Sequence, residues 1–126
     1  MRPRPNAGVL KWLHEVNEDS TFVSVVTIAE FRYGVHRLRF SVRRERLDDW
    51  LDNEFRLRFE GRILPINAEV ADTCTRLMAR SESLGHPIES RDAFIAATAE
   101  VHRLTLVTRN VSDFQPTVKD ILTPWS

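Results

Sequence analysis

Short β-branched runs alternate with helical stripes along this chain, and that alternation narrows the folds open to it. Phe22-Val23-Ser24-Val25-Val26 reads as a short buried strand. Residues 62–66 read as a second strand, interrupted by Pro65. Residues 104–108 make a third, and 118–122 a last one stopped by Pro124. Between them lie helical patterns. Val9, Leu10, Leu13 and Val16 predict a helix over 6–17. Thr27 starts another, with Ile28, Phe31, Val35 and Leu38 on one side. Leu47, Trp50, Leu51 and Phe55 give a buried face to a helical stretch over 41–59. Asn67 caps the cleanest stripe, Val70, Ala71, Cys74, Leu77, Met78 and Leu84, which Gly85 ends. A further helix runs from Ser90 or Arg91 to about His102, with Phe94, Ile95, Ala96 and Ala99 inward. Strands alternating with helices argue for an α/β fold on a parallel sheet.

Three acidic residues fall at equivalent places in that pattern. Glu30 follows the first strand run, Asp92 opens the helix after Gly85-His86-Pro87, and Asp113 follows the third strand run. In a parallel α/β sheet this is the edge where ligands bind. Carboxylates gathered there repel one another unless a hard cation holds them, so the set reads as a Mg²⁺ or Mn²⁺ site. Each residue also has a plainer reading. Thr27-Ile28-Ala29-Glu30 has the form of a capping box, in which Glu30 would serve the helix start. Asp92 would complement a helix dipole by about 0.3–1 kcal/mol. Asp113 would be a turn residue before a buried Phe114.

Composition excludes several classes. The 126 residues suit a single domain over 1–126, large enough to bury roughly two-thirds of its unfolded surface. Eighteen basic and eighteen acidic residues cancel, so bulk charge alone does not hold this chain to nucleic acid. The lone Cys74 permits no internal disulfide and sits on an apolar stripe, where it reads as core. No run approaches the roughly 18 apolar residues that span a membrane, and the first residues have no apolar signal region. A cytoplasmic protein is expected. The four histidines share no metal-ligand spacing, and the four scattered glycines form no phosphate loop.

The basic cluster is Arg32, Arg37, Arg39, Arg43, Arg44 and Arg46 with His36. Arg37, Arg43 and Arg44 are candidate phosphate contacts along an RNA path. The plainer reading is a solvated helical face, since Glu45, Asp48, Asp49 and Asp52 follow closely. Trp12, Trp50 and Trp125 read as core or dimer contacts.

Three segments together carry a family resemblance. They are Phe22 to Glu30, then Asp92-Ala93-Phe94-Ile95-Ala96-Ala97-Thr98-Ala99, then Leu104 to Phe114, and the ending Leu122-Thr123-Pro124-Trp125 fits as well. From Arg2 to Trp125 the chain resembles PIN-domain ribonuclease toxins of the VapC type, in the FitB-like branch. The resemblance implies a three-layer sandwich with a parallel central sheet flanked by helices. It implies a Mg²⁺-dependent (or Mn²⁺-dependent) endoribonuclease, the toxin of a toxin–antitoxin pair. Its acidic positions fall on Glu30, on Asp92, and on Asp113, with Asn110 as the weaker alternative for the last. The implied partners are a cognate antitoxin, laid along the helices of the basic cluster, an RNA substrate and a second copy in a homodimer.

One departure bears on activity. The family begins with a central strand ending in an Asp-Thr-Asn motif, and Met1-Arg2-Pro3-Arg4-Pro5 corresponds to the stretch just after it. The expectation is an N-terminally truncated PIN-like domain, with Met1 an internal methionine of a longer toxin or the chain a decayed copy. Weak or absent RNase activity is expected of the 126 residues. The rival reading is an interaction module that binds an antitoxin and cleaves nothing. A nucleotide-binding domain is disfavoured by the missing Gly-rich loop.

Overall fold

The computed structural model describes residues 6–126, so the Met1 to Pro5 segment lies outside the described residues. In chain order the elements are α1 (Ala7–Glu15), β1 (Val23–Ser24), α2 (Val25–His36), α3 (Val42–Trp50), a π turn (Leu51–Phe55), α4 (Arg56–Arg58), β2 (Ile63–Leu64), α5 (Ala68–Ser83), α6 (Ser90–Val101), β3 (Leu106–Val107), α7 (Val111–Phe114) and β4 (Ile121–Leu122). They fall into two compact units: Phe22–Ile66, and Asn67–Ser126 with the segment up to Thr21.

The larger unit is organised by α5 and α6. Asn67 accepts the Val70 amide on its Oδ1 at 2.9 Å and starts α5. Val70, Cys74 and Leu77 then recur at helical spacing and are buried. They meet the small face of α6, where Ala93, Ala96 and Ala97 are buried, and Ile88, Leu106 and Phe114 complete the cluster. Alanines on α6 let the two helices approach closely. Each buried Val, Leu, Ile or Phe contributes about 1.5–3 kcal/mol relative to exposure. Ser81, fully buried, is satisfied on both sides: its Oγ donates to the Met78 carbonyl at 2.8 Å and accepts the Ile88 amide at 3.1 Å. It thereby fixes the α5–α6 turn. β3 and β4 form a parallel pair with Leu106 opposite Ile121.

α1 belongs to the same unit and is tied to the C-terminal segment. The Asn6 side chain caps α1 and exchanges hydrogen bonds with Ser126, Nδ2 donating to the Ser126 carbonyl and Oδ1 accepting its amide, each at 2.9 Å. Gly8 is required there, because a Cβ would lie 2.1 Å from the Pro124 carbonyl oxygen. The apolar stripe of α1 is only partly covered: Val9 and Val16 are half-buried, whereas Leu10 and Leu13 are 49% and 55% exposed.

In the smaller unit β1 and β2 pair in parallel, Val23 opposite Ile63 and Ser24 opposite Leu64. Leu51 is its most buried side chain at 2% exposure, inside the continuous helical path of α3, π turn and α4. Phe55 sits among Phe31, Trp50 and Phe59, with ring centroids 5.0–6.0 Å apart. Trp50, expected on the buried face, is instead 41% exposed. All pairing is parallel, as expected, but each strand is two residues long, and the described strands form two pairs, one in each unit.

Candidate active site and its relatives

The first candidate carboxylate lies in the smaller unit. The expected strand over 22–26 stops at Ser24, whose Oγ accepts the Val26 amide at 3.1 Å and starts α2 two residues before Thr27. This overturns the capping-box reading. Glu30 is the sixth residue of α2, beyond the first turn where a carboxylate could reach back to the cap. Its carboxylate is exposed and makes no hydrogen bond or salt bridge to another described residue. Capping and dipole compensation therefore do not explain this carboxylate.

The basic cluster divides on the same unit. Arg32 is committed: Nη1 donates to Asp48 at 2.7 Å and Nη2 to Asp52 at 2.6 Å, joining α2 to α3 and the π turn. Hydrogen bonds to Asp52 and Asp48, with their charge, raise its already high pKa against the opposing effect of burial. Arg44 lies over the Phe40 ring at 4.1 Å and donates to the Leu38 carbonyl at 3.3 Å. Arg37 lies 5.7 Å from the Tyr33 ring centroid. Arg43 is exposed. Guanidinium groups near exposed rings keep their charge open to phosphate.

The other candidates lie in the larger unit. Asp92 is the third residue of α6, half-buried, in the turn where the helix dipole favours an anion. The cap position is Glu89, which sequence reading passed over. Partial burial pushes the Glu89 carboxyl up. The amides of Arg91 and Asp92 and the Arg91 charge outweigh that and hold it below its usual range. Asp113 is exposed on α7, with its amide donating to the Asn110 carbonyl at 3.1 Å. Asn110 precedes α7, and its amide is held by the Thr108 hydroxyl at 3.0 Å. α7 packs on α6 through buried Phe114, so Asp92 and Asp113 ride on two elements of one core. A contact invisible in sequence ties the loops beside them: His86 Nε2 lies 2.8 Å from the Ser112 carbonyl oxygen. No spacing rule flags a histidine whose partner is a backbone carbonyl 26 residues on.

The donors suit a hard cation in kind, being carboxylates and one amide. Among the described residues, however, no three His, Cys, Asp or Glu side chains stand close enough to hold one. Among them, too, no helix is long and apolar enough to cross a membrane.

Comparison with known proteins agrees with this architecture. Residues 1–115 match the PIN domain. The chain is 33% identical to Toxin FitB of Neisseria gonorrhoeae, over 99% of this chain and 90% of that protein. It is 31% identical to VapC ribonuclease Y4jK of Sinorhizobium fredii, over 98% and 89%. The fold matches the structure of FitAB bound to an IR36 DNA fragment with a TM-score of 0.92 at 31% identity, covering 99% of this chain and 87% of that one. With such a match along nearly its whole length, this chain belongs to the PIN-domain family, alongside the FitB and VapC toxins.

Proposed function

We propose that this chain is the toxin of a toxin–antitoxin pair, a cytoplasmic, metal-dependent endoribonuclease with Asp92, Asp113 and Glu30 as its acidic residues. The likeness to FitB over nearly the whole chain carries this reading. Asp92 is its anchor: a half-buried carboxylate in the first turn of α6, on a rigid alanine-packed helix, is oriented at little entropic cost. Asp113, or more weakly Asn110, would be the second oxygen donor, on α7, and Glu30 is the remaining acidic candidate, on α2. When bound, Mg²⁺ would acidify a water and offset charge developing on the scissile phosphate.

No three acidic side chains cluster among the described residues. We therefore read the cation as weakly held and cleavage by this chain as weak. Arg37, Arg43 and Arg44 would take the phosphates of the RNA.

The same unit supports an antitoxin site. Phe31, Tyr33, Phe40, Val42 and Trp50 are large apolar side chains exposed on α2, α3 and the segment joining them. Exposed apolar surface of this kind marks a protein interface. The Arg37 and Arg44 charges beside it suit a partner segment that is apolar and acidic. A homodimer completes the proposed assembly.

The test uses the purified chain with mixed RNA, with Mg²⁺ or with EDTA. Slow Mg²⁺-dependent cleavage that Asp92→Asn abolishes is the expected result. Cleavage that survives EDTA or Asp92→Asn overturns the metal reading, and fast cleavage overturns the weak-binding part. Antitoxin binding with no cleavage at any enzyme concentration replaces the enzyme with an interaction module.

A further inference from the structure

A cavity of about 400 Å³ opens in the larger unit, between the α5–α6 hairpin and residues 117–120. That volume is in the range of small-molecule sites, roughly 300–1,000 Å³. Leu77, Ala96, Leu104 and Val118 give it an apolar floor. Three cations stand around it: Arg80 from α5, Arg103 after α6, and Lys119. None of the three side chains has a salt bridge or hydrogen bond to another described residue. The two acids of the lining are Glu100 and Asp120, and both Asp120 oxygens lie 3.1 Å from the Thr105 hydroxyl, which donates to them. The cavity therefore carries one surplus positive charge.

Thr117 completes the lining and is 3% exposed, and its Oγ1 is shut off from the cavity. The candidate catalytic residues do not line this cavity, and Arg80 and Arg103 extend into an adjoining groove that includes Arg76.

We propose that this cavity binds a small organic anion: an apolar body on the Leu77–Ala96–Leu104–Val118 floor, and a carboxylate or phosphate monoester among Arg80, Arg103 and Lys119. A long polyanion fits less well, because Glu69, Glu100 and Asp120 interrupt the cations along the groove.

Titration of ¹⁵N-labelled protein with benzoate and with phenyl phosphate tests this, with benzyl alcohol and inorganic phosphate as controls. Saturable shifts confined to the amides of Leu77, Arg80, Arg103 and residues 117–120 are expected from at least one organic anion. Benzyl alcohol and inorganic phosphate should each bind at least tenfold more weakly. The Arg80→Gln, Lys119→Gln double variant should weaken the anion at least tenfold, with the remaining amide spectrum unchanged. A response to either anion marks the site, and the stronger one identifies the head group. Shifts that do not saturate, that scatter over the surface, or that persist in the double variant overturn the proposal. Equal binding of benzyl alcohol overturns the anionic part, and equal binding of inorganic phosphate overturns the apolar part.

Discussion

Gly85 and Arg103 stand in the same left-handed conformation at the ends of two packed helices. Their φ angles are 72° and 56°. After α5 the His86 amide reaches back to the Ser81 carbonyl at 2.9 Å, and after α6 the Leu104 amide reaches back to the Ala99 carbonyl at 2.8 Å. Both are six-to-one closures of a helix end, a place where glycine is the ordinary occupant. A side chain in that conformation costs roughly 1–2 kcal/mol. Gly85→Ala meets no neighbour within 4 Å, so the backbone alone decides its effect. It should destabilise by about 1 kcal/mol, and Arg103→Gly should stabilise by up to about 1 kcal/mol. Paired denaturant titrations with unchanged slopes would verify both signs.

Glu30 and Ser24 should separate function from folding. Ser24→Ala removes the α2 cap and should cost about 1 kcal/mol. Glu30→Gln removes nothing that holds the helix and should change stability by less than about 0.5 kcal/mol. Any RNA cleavage should fall with Glu30→Gln all the same. A stability loss near 1 kcal/mol in Glu30→Gln would restore the capping reading.

Gly8→Ala should be among the costly small substitutions in the larger unit. The added Cβ meets the Pro124 carbonyl oxygen, a backbone atom, at 2.1 Å, so α1 or the last segment must shift. A loss of roughly 1–3 kcal/mol is expected, with faster amide exchange around Asn6. Thermal melting together with hydrogen exchange measures it.

Cys74 is shut away and its thiol is pushed up by burial. It should resist alkylation in the native protein and react promptly in denaturant. The sign of its pH effect follows. The folded state disfavours the thiolate, so this contribution is intact below the ordinary thiol range of about 8.5. It is lost progressively as pH rises above that range. Denaturation midpoints from pH 7 to pH 10, compared with Cys74→Ala, would show the difference.

Arg32→Leu should cost about 1 kcal/mol, because it leaves Asp48 and Asp52 without their shared cation. Arg43→Ala should be neutral within about 0.5 kcal/mol, and any effect it has should appear in RNA affinity, with a shallower salt dependence.

Legibility in the sequence followed the strength of the physical signal. The α5 stripe was plain because Val70, Cys74 and Leu77 recur at helical period behind a real Asn67 cap, and all three are buried. Parallel pairing was plain from the alternation. The end of β1 was misplaced because Val25 and Val26 are β-branched, whereas the Ser24 hydroxyl outweighs that weak preference and starts a helix there. Trp50 read as buried from its spacing, but Leu51 takes the inward position at the π turn. Of the acidic candidates, Asp92 does fall in the first turn of a helix, whereas Glu30, read at a strand end, lies six residues into α2. The unpaired Thr117 hydroxyl was not visible, since only folding decides what surrounds it.

The junction of β1 and α2 contains no loop: Ser24 ends the strand and caps the helix. Glu30 is thus geared to the strand pair through six consecutive helical positions, with no slack to absorb a change in length. One residue inserted between Ser24 and Glu30 would swing the carboxylate by about 100° around the helix axis and advance it about 1.5 Å. This stretch should accept side-chain replacements far more readily than insertions or deletions.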